Sequence, residues 1–376
     1  MKGNLSMYNE QLLEEITVTE GINFSQVKQV RKLLLEQMVI NGGFQENVGL
    51  INGRLGLSLA MFTLGGQPGM SYLSGFANDL LEEAFMDIDG SVSPGYDNGA
   101  VGIAAYFHLI EKYGFASVSR AEVLEEVDLY IHKYIAHSGL HRADLNEGSL
   151  GLIYYLMLKL SDEELHNSLD NSFLTREMLI ACIDEVADHF GNVLAKFDVK
   201  TISLRIHAYN LLRRLKNDIY PQPVASIIKM LEEEDLEQKY REALAGSSNE
   251  AGIQLIYLCS VYCSATGKTI PGLELDYQRY TLLSATQYHQ APSLQGLNML
   301  LDMIINGLEN GIYNADSDIS PTQIINRAIY NLNDPIITGS VDYSLHNGLG
   351  KLLFMVQSLL KPQAYQIYKE VIYLQI

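Results

Sequence analysis

A cluster of small residues returns about every 44 to 52 residues along this chain, each time just ahead of an apolar run. Four copies are clear: Gly53-Arg54-Leu55-Gly56, Gly99-Ala100-Val101-Gly102, Gly148-Ser149-Leu150-Gly151 and Gly348-Leu349-Gly350. Gly252 and Gly296 lead weaker copies, and the His207-Ala208 region falls near the middle of one double interval with no glycine at all. A period of this length marks a repeat architecture, in which each unit buries its apolar face only against its neighbours.

Between the clusters helical periodicity dominates and strand-like alternation is scarce. The segments directly after them are Leu55–Leu64, Val101–Tyr113, Leu150–Leu160, Ile206–Leu215, Ile253–Ala265, Leu297–Ile305 and Leu349–Leu360. They are apolar nearly all round and carry few charges, the pattern of helices buried on every side. The segments Ser119–Ile135, Thr175–Ala195 and Gln222–Leu244 are amphipathic and acidic, so each predicts a helix with one face in water. Ser119 and Thr175 read as helix N-caps, and Pro221, Pro223 and Pro321 suit first turns, where a missing N–H costs little.

A linear stack of seven such hairpins needs polar ends. Here the first and last inner segments, around Leu57 and Leu352, are as apolar as the middle ones. The pattern therefore predicts an all-α chain closed into an α/α toroid of about seven hairpins, with inner and outer helix rings. It reads as one domain over residues 1–376, with a helical segment at 1–46 packed on the ring and repeats from about 47 to 360. Each Gly-x-x-Gly is expected to let a loop turn with φ > 0 and let backbones approach closely. A second reading leaves free N–H groups at the ring mouth for an anion.

The balance of 26 Lys and Arg against 45 Asp and Glu gives a net charge of −19. Phosphate backbones need a basic surface, so nucleic acid is excluded as a partner, as are anionic membranes. A groove that attracts a basic peptide stays open. No uninterrupted apolar run is long enough for a membrane span. The opening Met1-Lys2-Gly3-Asn4-Leu5-Ser6 lacks the apolar core of a signal peptide, and three cysteines in no framework pattern suit a reducing compartment. The expected location is cytoplasmic.

These repeats resemble the lanthionine synthetase C-like family, from about residue 47 to 360. The Asn52-Gly53, Asn98-Gly99 and Asn347-Gly348 copies are similar to a divergent Bacteroides-type branch found beside radical-SAM peptide-maturation genes. The resemblance implies an α/α toroid with the Gly-x-x-Gly loops between its helices. It also implies a zinc ion that activates a peptide thiol, held by cysteine in the fifth loop and Cys-His in the sixth. This chain reads Asn249-Glu250-Ala251-Gly252 and Ser293-Leu294-Gln295-Gly296 there. Leucine cannot ligate and glutamine is a poor zinc ligand, so no metal and no other cofactor are expected. Cys259, Cys263 and Cys182 read as packing residues.

Two family positions are retained. Asp144-Leu145-Asn146-Glu147-Gly148 matches Asp-x-x-Glu-Gly, which implies acid/base assistance by Asp144, and His207 stands where relatives carry a proposed general acid. Around them the ring mouth is expected to gather Asn52, Arg54, Asp97, Asn98, Glu147, Glu250, Gln295, His346 and Asn347, with Tyr96 and Tyr343 nearby. Acids and amides flanked by aromatics suit a peptide or a sugar, but the absence of tryptophan weakens the sugar reading. Three functions stay open. One is a zinc-free member of the family that binds a precursor peptide, or a peptide-maturation enzyme, or assists peptide modification. Another is a non-zinc enzyme on a peptide or carbohydrate using the mouth acids and His207. The third is a non-catalytic scaffold.

Overall fold

A computed structural model describes residues 22–87, 93–115, 120–137, 142–165, 169–215, 218–287, 293–313, 320–332, 342–346 and 348–374. These residues form sixteen α-helices and one short 3-10 turn, with no strand among them. In chain order the helices are α1 (Phe24–Asn41), α2 (Arg54–Gly65), α3 (Tyr72–Met86), α4 (Ala100–Lys112), α5 (Arg120–His137), α6 (Ser149–Leu165), α7 (Leu169–Leu194) and α8 (Val199–Leu215). There follow α9 (Pro221–Glu233), α10 (Leu236–Gly246), α11 (Asn249–Thr266), α12 (Leu273–Gln287), α13 (Leu294–Glu309), α14 (Pro321–Asn331), α15 (Leu349–Ser358) and α16 (Gln363–Tyr373). No helix among the described residues is long and apolar enough to cross a membrane.

Two kinds of helix alternate. In α2 every position but Thr63 is buried, and α13 is buried without a break from Gly296 to Gly307. By contrast, α9 buries Val224, Ile227, Ile228 and Leu231, the i, i+3, i+4, i+7 stripe of a helix with one wet face. The all-round apolar helices neighbour one another in the order α2, α4, α6, α8, α11, α13, α15, and α15 packs back on α2. The amphipathic helices cover them: α3 on α2, α5 on α4, α7 on α6, α9 on α8, α12 on α11, α14 on α13 and α1 on α15.

The last helix departs from the alternation. α16 packs on α15 and α8, and its buried side includes Tyr365, Tyr368, Val371 and Tyr373. Its polar bonds reach four all-round apolar helices: Glu370 accepts from Lys112 Nζ of α4 (2.7 Å), Tyr373 O accepts from Asn210 of α8 (2.9 Å), the Tyr373 and Tyr257 hydroxyls pair (2.8 Å), and Tyr365 donates to Asp302 of α13 (2.8 Å). α16 begins five residues after α15 ends, beyond the last predicted repeat, and its contacts reach helices far apart in the chain.

The glycines serve the close approach expected of them, but not the left-handed turn. None of the leading glycines has positive φ; Gly53, Gly99 and Gly348 are extended or nearly so, at −143°, −114° and −92°. What they permit is close approach. A Cβ on Gly53 would strike the backbone of Val48 and Gly49, and one on Gly49 would overlap Asn98 and the Asp97 carbonyl of the next loop. The loop tucks under its own helix, so Arg54, Leu55 and Gly56 N–H donate to Asn47, Val48 and Gly49 carbonyls at 2.8, 3.0 and 3.4 Å. The same three bonds recur from Ala100, Val101 and Gly102 to Ser93, Pro94 and Gly95. These donors are satisfied within the chain, which overturns the reading of free N–H groups at the mouth.

Where the glycine cluster decays, a side chain takes over the cap. Asp198 and Thr201 bond reciprocally at the start of α8 (2.8 and 3.0 Å), Ser248 caps α11 and Ser293 caps α13. Other local expectations shift too. Pro221 and Pro321 open α9 and α14, as a missing N–H allows. Thr175 is not a cap but lies buried inside α7, and Ser119 lies outside the described residues. The Gln222–Leu244 segment breaks at Glu234, which leaves helical geometry to pair with buried Arg205, while Asp235 caps α10.

Candidate functional site

One cavity of about 720 Å³ opens among the all-round apolar helices. The tucked loops bring Asn52, Asp97, Asn98, Asp144, Glu147 and His346 to it; the helices bring His207 and Gln295. The loops hold one another in register. Leu345 N–H donates to Ile51 O (2.7 Å), Ile51 N–H to Asp97 O (3.0 Å) and Tyr96 N–H to Asn146 O (2.7 Å). Adjacent repeats thus set the spacing of the polar side chains through their backbones.

Three expected residues are elsewhere. Arg54 is buried at the start of α2, donating to Gln45 O (2.7 Å) and paired with Asp87, so it ties a loop to its helix and does not line the cavity. Glu250 lies in the first turn of α11, exposed, and outside the cavity wall. Asn347 lies outside the described residues. Tyr96 lines the wall, while Tyr343 is buried off it.

At the exposed side of the cavity the acids are unequally partnered. Arg142 donates to Asp144 (2.8 Å) and pairs with Glu147, whose own N–H donates to Asp144 Oδ1 (2.8 Å). Asp97 stands beside them. Burial, then the negative charges of Asp144 and Glu147, push its carboxyl up to about 6. A carboxyl there exchanges its proton near neutral pH.

Deeper in the cavity His207 is only 8 % exposed. It sits two turns inside α8, not in a loop before it, because the glycines that would break the helix are Ala208 and Leu211 in this chain. Its Nε2 lies 3.0 Å from the Ile372 carbonyl, and a carbonyl only accepts, so Nε2 carries the proton. Burial pulls the imidazole down to about 4, partly opposed by that carbonyl. Tyr96 OH and Asn210 Nδ2 donate to the Val371 and Tyr373 carbonyls, both at 2.9 Å. Together these three side chains satisfy the carbonyls at the buried C-terminus of α16, where Leu374 turns left-handed at φ 54°. His207 and Asp144 line the same cavity, but no hydrogen bond joins them.

Sequence reasoning missed the cavity's inner wall. Asp302 is 0 % exposed and accepts from the Tyr257 and Tyr365 hydroxyls at 2.8 Å each, while Lys351 Nζ approaches its other oxygen at 2.7 Å. Burial opposes the Lys351 charge, yet Asp302 keeps its pKa raised. Burial and Lys351 together lower His346. One signal was available: Asp302 and Lys351 are charged residues inside helices that otherwise avoid charge.

The residues do not fit zinc. The loop positions hold Glu250, Ala251, Leu294 and Gln295, with no thiol among them. Burial raises the Cys259 thiol well above its usual range and Cys263 to about 11, and Cys182 is pushed up to about 12, so none is a ready thiolate. No protein-family model matches the chain, and no curated protein is significantly similar to it.

Proposed function

We propose that this chain is an α/α toroid of the lanthionine synthetase C-like kind that binds a peptide in the cavity without zinc-dependent cyclisation. The closed order of helix neighbours supports the toroid reading, and the bonds of α16 to α4, α8, α11 and α13 suit a helix in its lumen. One observation carries the binding reading: Asn52, Asp97, Asn98, Asp144, Glu147, His207, Gln295 and His346 share a single cavity with apolar Ile51, Leu258 and Met299. Amides and acids beside apolar wall suit a chain of alternating peptide groups and side chains. The acids favour a basic segment, such as part of a precursor peptide or of a maturation enzyme.

Fluorescence anisotropy with labelled (Lys-Gly-Ser)4 and (Glu-Gly-Ser)4 tests the reading. The basic peptide is expected to bind and the acidic one not. The double variant Asp97→Asn, Glu147→Gln should bind the basic peptide at least several-fold more weakly. Equal binding by the variant would move the site off the cavity, and no binding by wild type would end the reading.

The raised Asp97 carboxyl favours a second reading, a non-zinc enzyme in which Asp97 moves a proton near neutral pH. His207 is less suited to that work, since its Nε2 proton is committed to Ile372. An activity that survives Asp97→Asn unchanged would remove this reading.

A further inference from the structure

The inner wall of the cavity holds an ammonium group that is only partly used. Lys351 is 8 % exposed, lines the cavity, and lies over the Tyr368 ring at 5.6 Å. Among the described residues its Nζ has one carboxylate neighbour, Asp302 at 2.7 Å, although an ammonium carries three donors. Asp302 is already held on its other oxygen by Tyr257 and Tyr365, and Tyr257 in turn meets Tyr373 at 2.8 Å. The acceptor is thus fixed from two helices besides its own, and the lysine head is fixed with it. A buried donor facing open space is costly unless an acceptor reaches it.

Other residues lining the same cavity have the reverse character. Arg142 is shared between Asp144 and Glu147, which leaves the Asp97 carboxyl beside two further acids. A peptide that touches both groups meets acids at one and ammonium donors at the other.

We propose that Lys351 is the receptor for the carboxyl-terminal carboxylate of a short peptide, which enters the cavity tail first with its basic end left at Asp97. This orientation rests on the peptide-binding reading above. The donors left on Lys351 take the ligand's carboxylate oxygens, and Asp302 stays in place to keep the lysine charged and aimed. Tyr373 and Met299 give the last side chain an apolar wall.

Isothermal titration with the heptapeptide Lys-Gly-Ser-Tyr-Ser-Gly-Leu and its C-terminal amide tests the orientation. Amidation is expected to weaken binding to wild type roughly tenfold, the scale of one charge-assisted hydrogen bond. Lys351→Met alone strands Asp302, so it is paired with Asp302→Asn, and the double variant is checked for folding by circular dichroism. On a folded double variant, acid and amide should bind within twofold of each other. Equal binding of acid and amide to wild type overturns the orientation while the peptide reading stands. An undiminished preference for the acid in the double variant also overturns it. If neither form binds wild type the orientation is overturned, and the basic-peptide titration above decides whether the peptide reading falls with it.

Discussion

Acid should unfold this protein partly through one histidine. His207 titrates at about 4 in the folded chain, against 6.5 for an ordinary histidine. The folded pKa is depressed, so its contribution is fully present above pH 6.5 and is lost as pH falls toward 4. In that window the unfolded chain takes up a proton that the native chain refuses. Linkage gives a loss of about 2.5 kcal/mol between pH 7.5 and pH 4.5. The comparison is His207→Gln, whose amide places a donor near Nε2 but never charges. Urea unfolding of both proteins at several pH values gives the difference in stability, in which every other titrating group cancels. Asp97 is such a group: its raised pKa acts in the opposite sense, but equally in both proteins. The stability advantage of wild type should shrink by about 2.5 kcal/mol across the window. Parallel pH profiles would refute both the burial of His207 and its role as a neutral donor to α16.

Gly49→Ala should destabilise by about 2–4 kcal/mol in thermal melts, because the new methyl meets the Asn98 and Asp97 backbone, which cannot swing aside. Gly66→Ala, where nothing lies within 4 Å, should be neutral or slightly stabilising by about 0.5 kcal/mol. Lys351→Met alone should cost about 3–5 kcal/mol in denaturant unfolding, and adding Asp302→Asn should return a large part of it; strictly additive losses would deny the ion pair. Cys182 and Cys259 should resist a thiol reagent at pH 8 in the native state and react on unfolding, since both are buried with raised thiol pKa; fast native labelling would contradict that burial.

The helical class and the two helix types were legible because burial on all sides and burial on one side leave different apolar patterns, as α13 and α9 illustrate. The loop acids were legible because they ride on the repeat. Less visible was the exchange of caps: Ser248 and Ser293 replace a tucked loop with a hydroxyl, and nothing in the period announces it. Arg54 shares a motif with the cavity residues, but its side chain turns toward Asp87, a contact set by tertiary packing. Lys351 and Asp302 are 49 residues apart (351 − 302) and belong to different repeats, so their pairing appears only once α13 and α15 are side by side. His207 shows the limit of reading by position. The residue type suits proton transfer, yet its partner is a backbone carbonyl 165 residues further along the chain.

That partner lies in α16, and the placement of α16 makes its docking depend on contacts distant in sequence. Tyr96 must find the Val371 carbonyl across 275 residues, and Lys112 must find Glu370 across 258. The bonds of α16 reach α4, α8, α11 and α13, so it docks fully only on helices that are themselves together. Contacts this distant in sequence are slow to form, because loop closure has to be completed before they return any stabilisation. A chain in which α16 is undocked exposes the apolar surface that Tyr365, Tyr368 and Val371 cover, the kind of surface through which partly folded chains stick to one another. The quality of the finished molecule therefore depends on how quickly its last helix arrives.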